Sequence, residues 1–566
     1  MTRTLESADA LAGELLNRVG SRIVLGLPVG IGKAIHIADA LFERARSDTS
    51  ISLTIFTGLT LEVPRARGDL ERRFLEPFAE RLYAEWPTPA YARALRENQL
   101  PPNVEVHEFY LRPGAWLGNP VVQQSYASVN YSHVAATLID LGVNVIAQLV
   151  AVDESRPGQY SLASNPEVTL DLLEYFEGAR RQGREVALVG QINRRLPWMG
   201  GDAVLEAKAF DLLLDNHRDF PPFGLPSRPV GPADFAAGMH VASLVPDDGT
   251  LQVGIGSLSD AVAHCLVLRH RKPALFRDLL KRLPGGTASA RRAGLPVYDQ
   301  PFEQGLFAST ELLSDALLHL VDAGIVKRPA GEGDDAVVHA GFFIGSERLY
   351  AWLRDTDDAL RDRIRMKAIS EVNTLFGDET RKRRQRRRAC FVNETMMVTL
   401  LGAAISDGLE DGRVVSGVGG QFDFVTMARR LSDARSILVC PARRLHDGRP
   451  RSNIRWSYGH ATVPRHYRDI VVSEYGIADL RGISDRRVIE AMLSIADSSF
   501  QEELIDAATE AGKLPADFSL PQETQRNTPE AINAALRADG IREHFPEYPL
   551  GSDFTPVEQR LVRALR

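Results

Sequence analysis

The chain has three cysteines in 566 residues, Cys265, Cys390 and Cys440. Their odd number and wide spacing leave no CxxC pair and no Cys/His cluster. That excludes a disulfide framework and a zinc site of ordinary spacing, and no metal is expected. A reducing cytoplasm is the expected compartment. The signatures that name a reaction at sight are absent too: there is no G-x-S-x-G, no H-E-x-x-H and no G-x-G-x-x-G. No apolar run approaches the roughly 18–20 residues that span a bilayer, and the longest, near Val143 to Val152, is broken by Asn144 and Gln148. Met1 to Gly20 carries Glu6, Asp9 and Glu14 and reads as an amphipathic helix, not a signal peptide. Neither charge dominates: the net charge is -7 with both signs interspersed, which argues against nucleic acid as a partner.

What is present is a globular composition, 44% hydrophobic and 25% charged, on a chain long enough for more than one domain. Short β-branched runs alternate with helical patterns. Arg22–Gly26, Ile51–Phe56, Val143–Leu149 and Glu185–Val189 read as strands, with helices over 31–46 and 170–183. A Pro- and Gly-rich stretch from Phe220 to Gly231 reads as a linker. The second half repeats the alternation, with strands at Leu251–Gly256, Ala336–His339, Ser436–Cys440 and Asp469–Val472. Such spacing predicts βαβ units and parallel sheets, hence two α/β domains, 1–225 and 226–566. The stretch 269–299, polar and basic, reads as an insertion. The run 381–388, seven basic residues in eight positions, reads first as a solvated helix face and second as a phosphate contact.

Three segments could carry chemistry. Gly417-Val418-Gly419-Gly420 follows Arg413-Val414-Val415, which reads as a strand end. Its glycines let the backbone come close to a ligand and aim N–H groups at an oxyanion or phosphate, though a plain tight turn has the same composition. Glu311 precedes the helical pattern of Leu312, Leu313, Ala316, Leu317 and Leu320, so it is either a first-turn glutamate that suits the helix dipole or a carboxylate nucleophile. Glu474 is either a strand-end salt-bridge partner or part of a pocket. Gly26 to Lys33 mimics a P-loop with one residue too many and with Ala34 in the place of Ser/Thr, and reads as a strand-to-helix turn. His460 and His466 read as packed or surface histidines.

Taken in order, these segments resemble the acetyl-CoA hydrolase/transferase family, which includes 4-hydroxybutyrate and succinyl-CoA:acetate CoA-transferases. Thr310-Glu311-Leu312-Leu313-Ser314-Asp315 is similar to the family's nucleophile segment. Gly254-Ile255-Gly256-Ser257-Leu258-Ser259-Asp260 is similar to its CoA-contacting turn, with Ser259 where a Pro is usual. Phe391-Val392-Asn393 resembles its Asn-containing strand, with Thr399 in the place of the usual Asp. The resemblance implies two open α/β CoA-transferase-like (NagB/RpiA-type) domains with the active site between them. It implies Glu311, Asn393, Gly419, Gly420 and Glu474 as catalytic, and Gly254, Gly256, Ser257, Asp260, Gly417 and Arg443 as contacts to CoA. The implied reaction is CoA transfer between a small acyl-CoA and a carboxylic acid through a glutamyl-CoA thioester. Acyl-CoA hydrolysis is the alternative, and a non-catalytic acyl-CoA-binding protein the remote one. CoA enters as substrate, no cofactor is permanently bound, and a homodimer is expected.

Overall fold

In the computed structural model, which describes residues 2–66 and 68–564, two sheets form from separate halves of the chain. The first has seven parallel strands in the order Arg3–Leu5, Leu212–Leu214, Ala187–Ile192, Val145–Val150, Arg22–Gly26, Ser52–Thr57, Val104–Glu108. The second has eight, in the order Ile364–Met366, Val338–Phe343, Phe307–Leu313, Thr250–Gln252, Ala389–Glu394, Arg435–Val439, Ile470–Ser473, Gly476–Asp479. All its pairs are parallel except the last. Helices cover the faces, so the central strands are buried on both sides. Val145–Val150, Ala187–Ile192 and Val338–Phe343 are buried at every position, which is why they are mostly apolar with no alternating polar face.

The halves share a core: Tyr131 of the first stacks edge-on against Phe342 of the second at 5.8 Å. The linker is pinned from both sides. Tyr83 Oη donates to Gly224 O (3.0 Å) and Asn193 Nδ2 to Phe220 O (2.9 Å) from the first half. Tyr350 Oη donates to Phe223 O (2.8 Å) and Leu225 N–H binds Gly345 O (2.7 Å) on the second. The chain end returns across both: Glu558 pairs with Arg81 at 2.6 Å, and His264 Nε2 meets His544 O at 2.7 Å.

Four expectations need correction. The stretch 269–299 is a packed element: the helices Pro273–Arg282 and Gly286–Arg292 bury Phe276, Leu279, Leu280 and Ala290. Its local charge hid an amphipathic face, and Arg269 itself is buried, donating to three main-chain carbonyls and stacking on Phe302 at 4.2 Å. The basic run is a solvated face only in part: Arg383 and Arg384 are exposed. Lys382 and Arg386 are buried: Lys382 Nζ binds Ser370 O (3.0 Å) and Phe376 O (2.7 Å) and pairs with the Glu371 carboxylate (3.2 Å), and Arg386 Nη1 binds Thr374 O (2.8 Å). Arg413–Val415 is a loop, tied to the first half through Gly114 N–H to Val415 O (2.8 Å) and Gln123 to Val414 O (3.0 Å). Glu311 lies within the strand Phe307–Leu313, and the helix starts only at Asp315. The Leu312-Leu313 pair that seemed to open a helix is buried strand instead.

The P-loop look-alike is the turn it was read as. Lys33 is buried, and its Nζ donates to Pro28 O (2.7 Å) and Gly58 O (2.5 Å), so no free ammonium faces a phosphate. Among the described residues no helix is long and apolar enough to cross a membrane.

Candidate active site

Glu311 stands near the carboxyl end of a central parallel strand, where open α/β sheets present their ligand sites. Its side chain is partly exposed by area, while the carboxyl group is enclosed by protein. Asn373 Nδ2 donates to Oε2 at 3.1 Å, and the Gly420 N–H also binds the carboxylate. Gly420 is the N-cap of the helix Gln421–Arg430, so the positive end of that helix faces the carboxylate. A Cβ at Gly420 would overlap Glu311 Oε2 and Asn373 Nδ2, which is the physical reason for glycine there. Gly419, at φ +57°, needs glycine for its backbone as well.

Behind this pair runs a chain of hydrogen bonds that crosses the two halves. Asn373 Nδ2 also donates to Asp423 Oδ2 at 3.2 Å. Asp423 is held by Ser132 of the first half, through Oγ at 2.6 Å and N–H at 3.1 Å. Tyr131 N–H binds Gly419 O at 3.1 Å, so the same segment props the glycine loop. The helix Ile369–Asn373 that carries Asn373 is the segment clamped by Lys382 and Arg386.

The site is rich in carboxyl groups, and among the described residues no cation pairs with Glu311. Burial, reinforced by the charge of Asp423, pushes the Glu311 carboxyl up to about 7. Glu474, just after the strand Ile470–Ser473, is buried and is likewise pushed up to about 7 by burial. Its Oε2 accepts from Ala442 N–H at 2.8 Å. Glu394, at the end of the strand Ala389–Glu394, lies between the two: its charge acts with that of Glu311 on Tyr110, and with that of Glu474 on Cys440.

A carboxyl raised above its ordinary value stabilises the fold fully below the unfolded value, near 4.5, and that contribution is lost as pH rises through 7. Glu311→Gln removes the charge that has to be buried. It is therefore expected to raise Tm by a few degrees at pH 8.5 and to leave it near wild type at pH 5, as read by calorimetry. Equal shifts at the two pH values would contradict the burial account.

The other expected positions fall as follows. Gly417 approaches the first half, where a Cβ would lie 2.5 Å from Phe109 O. Gly254 and Gly256 flank a turn beside the Glu311 strand, and Ser314 Oγ donates to Gly254 O at 3.1 Å. Ser257 opens the helix Ser257–Arg271 and binds Asp234. Asp260 is buried beside Asp315 and is pushed up to about 7, first by burial and then by that neighbour. Arg443 turns to Asp497 at 3.5 Å. Asn393 does not reach Glu311: its amide pairs with Gln252 on the adjacent strand at 3.2 Å. The asparagine on Glu311 is Asn373, 20 residues earlier in the chain. Nothing in the spacing of Glu371-Val372-Asn373-Thr374 singles it out, because its partner is 62 residues away in sequence. Thr399 ends the strand Met397–Thr399, and its Oγ1 accepts from Ala403 N–H at 3.0 Å. His460 pairs with Asp407 at 2.9 Å, and His466 packs on Tyr467.

Residues 345–508 match the acetyl-CoA hydrolase/transferase C-terminal domain. The chain is 24% identical over 320 residues to the 4-hydroxybutyrate coenzyme A transferase of Clostridium kluyveri, an alignment covering 56% of this chain and 64% of that protein. It thus spans just under two thirds of that relative. It is 24% identical over 414 residues to the succinyl-CoA:cyclohexane-1-carboxylate CoA transferase of Geobacter metallireducens, covering 72% of this chain and 82% of that one. In fold it is similar to RipA from Yersinia pestis, with a TM-score of 0.65 at 19% identity over 90% of this chain and 98% of the other. The match over 345–508 takes in the segment that holds Asn373, the glycine loop and Glu474, and over that segment the chain is similar to the C-terminal domain of the acetyl-CoA hydrolase/transferase family.

Proposed function

We propose that this protein is a CoA-transferase that moves CoA from a small acyl-CoA to a carboxylic acid through a glutamyl-CoA thioester on Glu311. The observation that carries the reading is the Glu311 carboxylate, held by Asn373 Nδ2 and the Gly420 N–H with no cation paired to it among the described residues. An ion pair would lower the basicity and nucleophilicity of the carboxylate; two neutral donors fix its direction and leave a reactive oxygen.

In the first step a Glu311 oxygen attacks the acyl carbonyl carbon. The C–S bond breaks, and a mixed anhydride and CoA thiolate form. The thiolate then attacks the Glu311 carbonyl carbon, the anhydride C–O bond breaks, and the donor leaves as a carboxylate. The acceptor carboxylate attacks the glutamyl thioester and expels the thiolate. The thiolate attacks the acyl carbonyl of the new anhydride, giving the new acyl-CoA and free Glu311. Each tetrahedral intermediate needs N–H donors at its oxygen, and Asn373 Nδ2 and Gly420 N–H are the donors at hand. Gly419 shapes the loop and Glu474 the far wall. The turn Gly254–Asp260 and Gly417 line the CoA side. The chemistry calls for no permanent cofactor. We further assign two domains, 1–225 and 226–566, a homodimer and a cytoplasmic setting.

Hydrolysis would follow if water resolved the thioester. Among the described residues no histidine hydrogen-bonds Glu311, and the nearby phenols of Tyr110 and Tyr131 are pushed up by burial, so neither serves as a base toward water. With acetyl-, propionyl- and succinyl-CoA in plain buffer, free thiol is expected to appear slowly. A suitable small carboxylate should speed donor consumption and give a new acyl-CoA by mass. Rapid thiol release that no carboxylate suppresses would establish the hydrolase instead.

A further inference from the structure

We infer that the hairpin Arg443–Ser452 is the docking ribbon for the phosphate groups of the CoA nucleotide, an assignment that rests on the acyl-CoA reading above. Arg443–His446 and Arg449–Ser452 form an isolated two-stranded antiparallel ribbon closed by Asp447-Gly448, both at positive φ, as a two-residue turn requires. Its register sets Arg444 opposite Arg451 and His446 opposite Arg449. Cross-strand partners share a face, as do residues two apart, so all four side chains emerge on the same side.

Like charges set directly opposite one another weaken a ribbon, and a lone two-stranded hairpin is marginal in water to begin with. Among the described residues no carboxylate pairs with the three arginines of this face. Arg444 reaches only the neutral Asn453 and Ser452, and His446 lies 3.6 Å from Asp447 at the turn. Arg449 and Arg451 have no acidic partner among the described residues. All four are exposed, as is Leu445 at 69%. A face that is costly for folding and empty of anions is complementary to a ligand carrying several phosphate charges close together.

The placement fits the same ligand. The ribbon begins one residue after Ala442, whose N–H binds Glu474, and ends before Asn453, whose Nδ2 donates to Pro441 O at 2.8 Å. The Glu474 side of the site is joined to Glu311 through the sheet: Gln421, next to Gly420, donates Nε2 to Glu394 O at 2.8 Å, Glu394 pairs in register with Val439, and Cys440 N–H binds Val472 O at 2.9 Å, two residues before Glu474. At four residues per strand the ribbon is about 13 Å long, and it is exposed from Arg444 through Arg451. A thioester placed at Glu311 carries its phosphates at the far end of the pantetheine arm, away from the reacting carbon, and the ribbon is the arginine-bearing element that leads off from the Glu474 side of the site.

The test uses the full chain, desulfo-CoA as a non-reacting probe, and an acyl-pantetheine that lacks the phosphates. In the triple variant Arg444→Ser, Arg449→Ser, Arg451→Ser, desulfo-CoA affinity by calorimetry is expected to fall about 10- to 100-fold. Its salt dependence should flatten. The preference for acyl-CoA over acyl-pantetheine should fall by a similar factor. The triple Arg→Lys variant should recover most of the affinity, which separates charge from folding. Equal desulfo-CoA affinity in wild type and the Ser variant would overturn the ribbon assignment alone, as would an equal loss on acyl-pantetheine. A wild type that binds no desulfo-CoA but retains an acidic protein or an oligonucleotide on this face would overturn both the assignment and the acyl-CoA reading.

Discussion

Glu311→Ala is expected to lower turnover by roughly 10⁴- to 10⁶-fold while desulfo-CoA still binds. On the proposed route the substitution removes the attacking carboxylate, whereas binding draws on contacts spread along the whole CoA molecule. Two milder changes sharpen the test. Glu311→Asp keeps the charge but withdraws the oxygen from Asn373 and Gly420, and a displacement of about 1 Å is enough to cost about 100-fold. Glu311→Gln keeps the shape but brings N–H groups to a site where both neighbours are donors, so it should be inactive even though it is more stable at high pH. The wild-type rate should fall below pH 7 as the raised Glu311 carboxyl takes up its proton and stops being a nucleophile. An Ala variant that kept a tenth of wild-type activity would remove Glu311 from the nucleophile role.

Gly420→Ala is expected to lower kcat by about 100- to 1000-fold with little change in Tm. The backbone at Gly420, φ -93° and ψ 4°, is open to alanine, so the fold need not object. The added methyl would occupy the space of Glu311 Oε2 and Asn373 Nδ2, forcing apart the nucleophile and its donor. Gly419→Ala is the contrasting control. At φ +57° the backbone itself is strained by a side chain, so that variant should lose stability as well as rate. Unchanged kcat in Gly420→Ala would reduce the loop to a structural turn.

The site was legible in the sequence where chemistry and backbone geometry coincide locally. Three glycines in four positions announced a close backbone approach, and that loop does meet Glu311 and, through Gly417, the other half of the molecule. The α/β alternation was legible because buried parallel strands must be continuously apolar. Partners brought together by tertiary structure were not legible. Asn373 and Ser132 reach the site from distant elements, and no local pattern distinguishes them from ordinary polar residues. Asn393, by contrast, had the right type and a similar setting but points to Gln252. The basic run misled because charge density predicts exposure, yet Lys382 and Arg386 find enough carbonyls around residues 370–376 to be buried. Glu311 misled in a different way: the apolar residues after it suit both a strand end and a helix start, and only the neighbouring strands decide between them.

The most direct measurement of the covalent route is a chemical mark on Glu311. Wild-type protein is mixed briefly with an acyl-CoA, treated with borohydride, digested and weighed. Borohydride reduces a thioester to an alcohol and leaves a free carboxylate alone, so the peptide containing Glu311 should become lighter by about 14 Da, with no such change when acyl-CoA is omitted. An unchanged Glu311 peptide from protein that is turning over acyl-CoA, or the same loss of mass on a different carboxylate, would contradict the account.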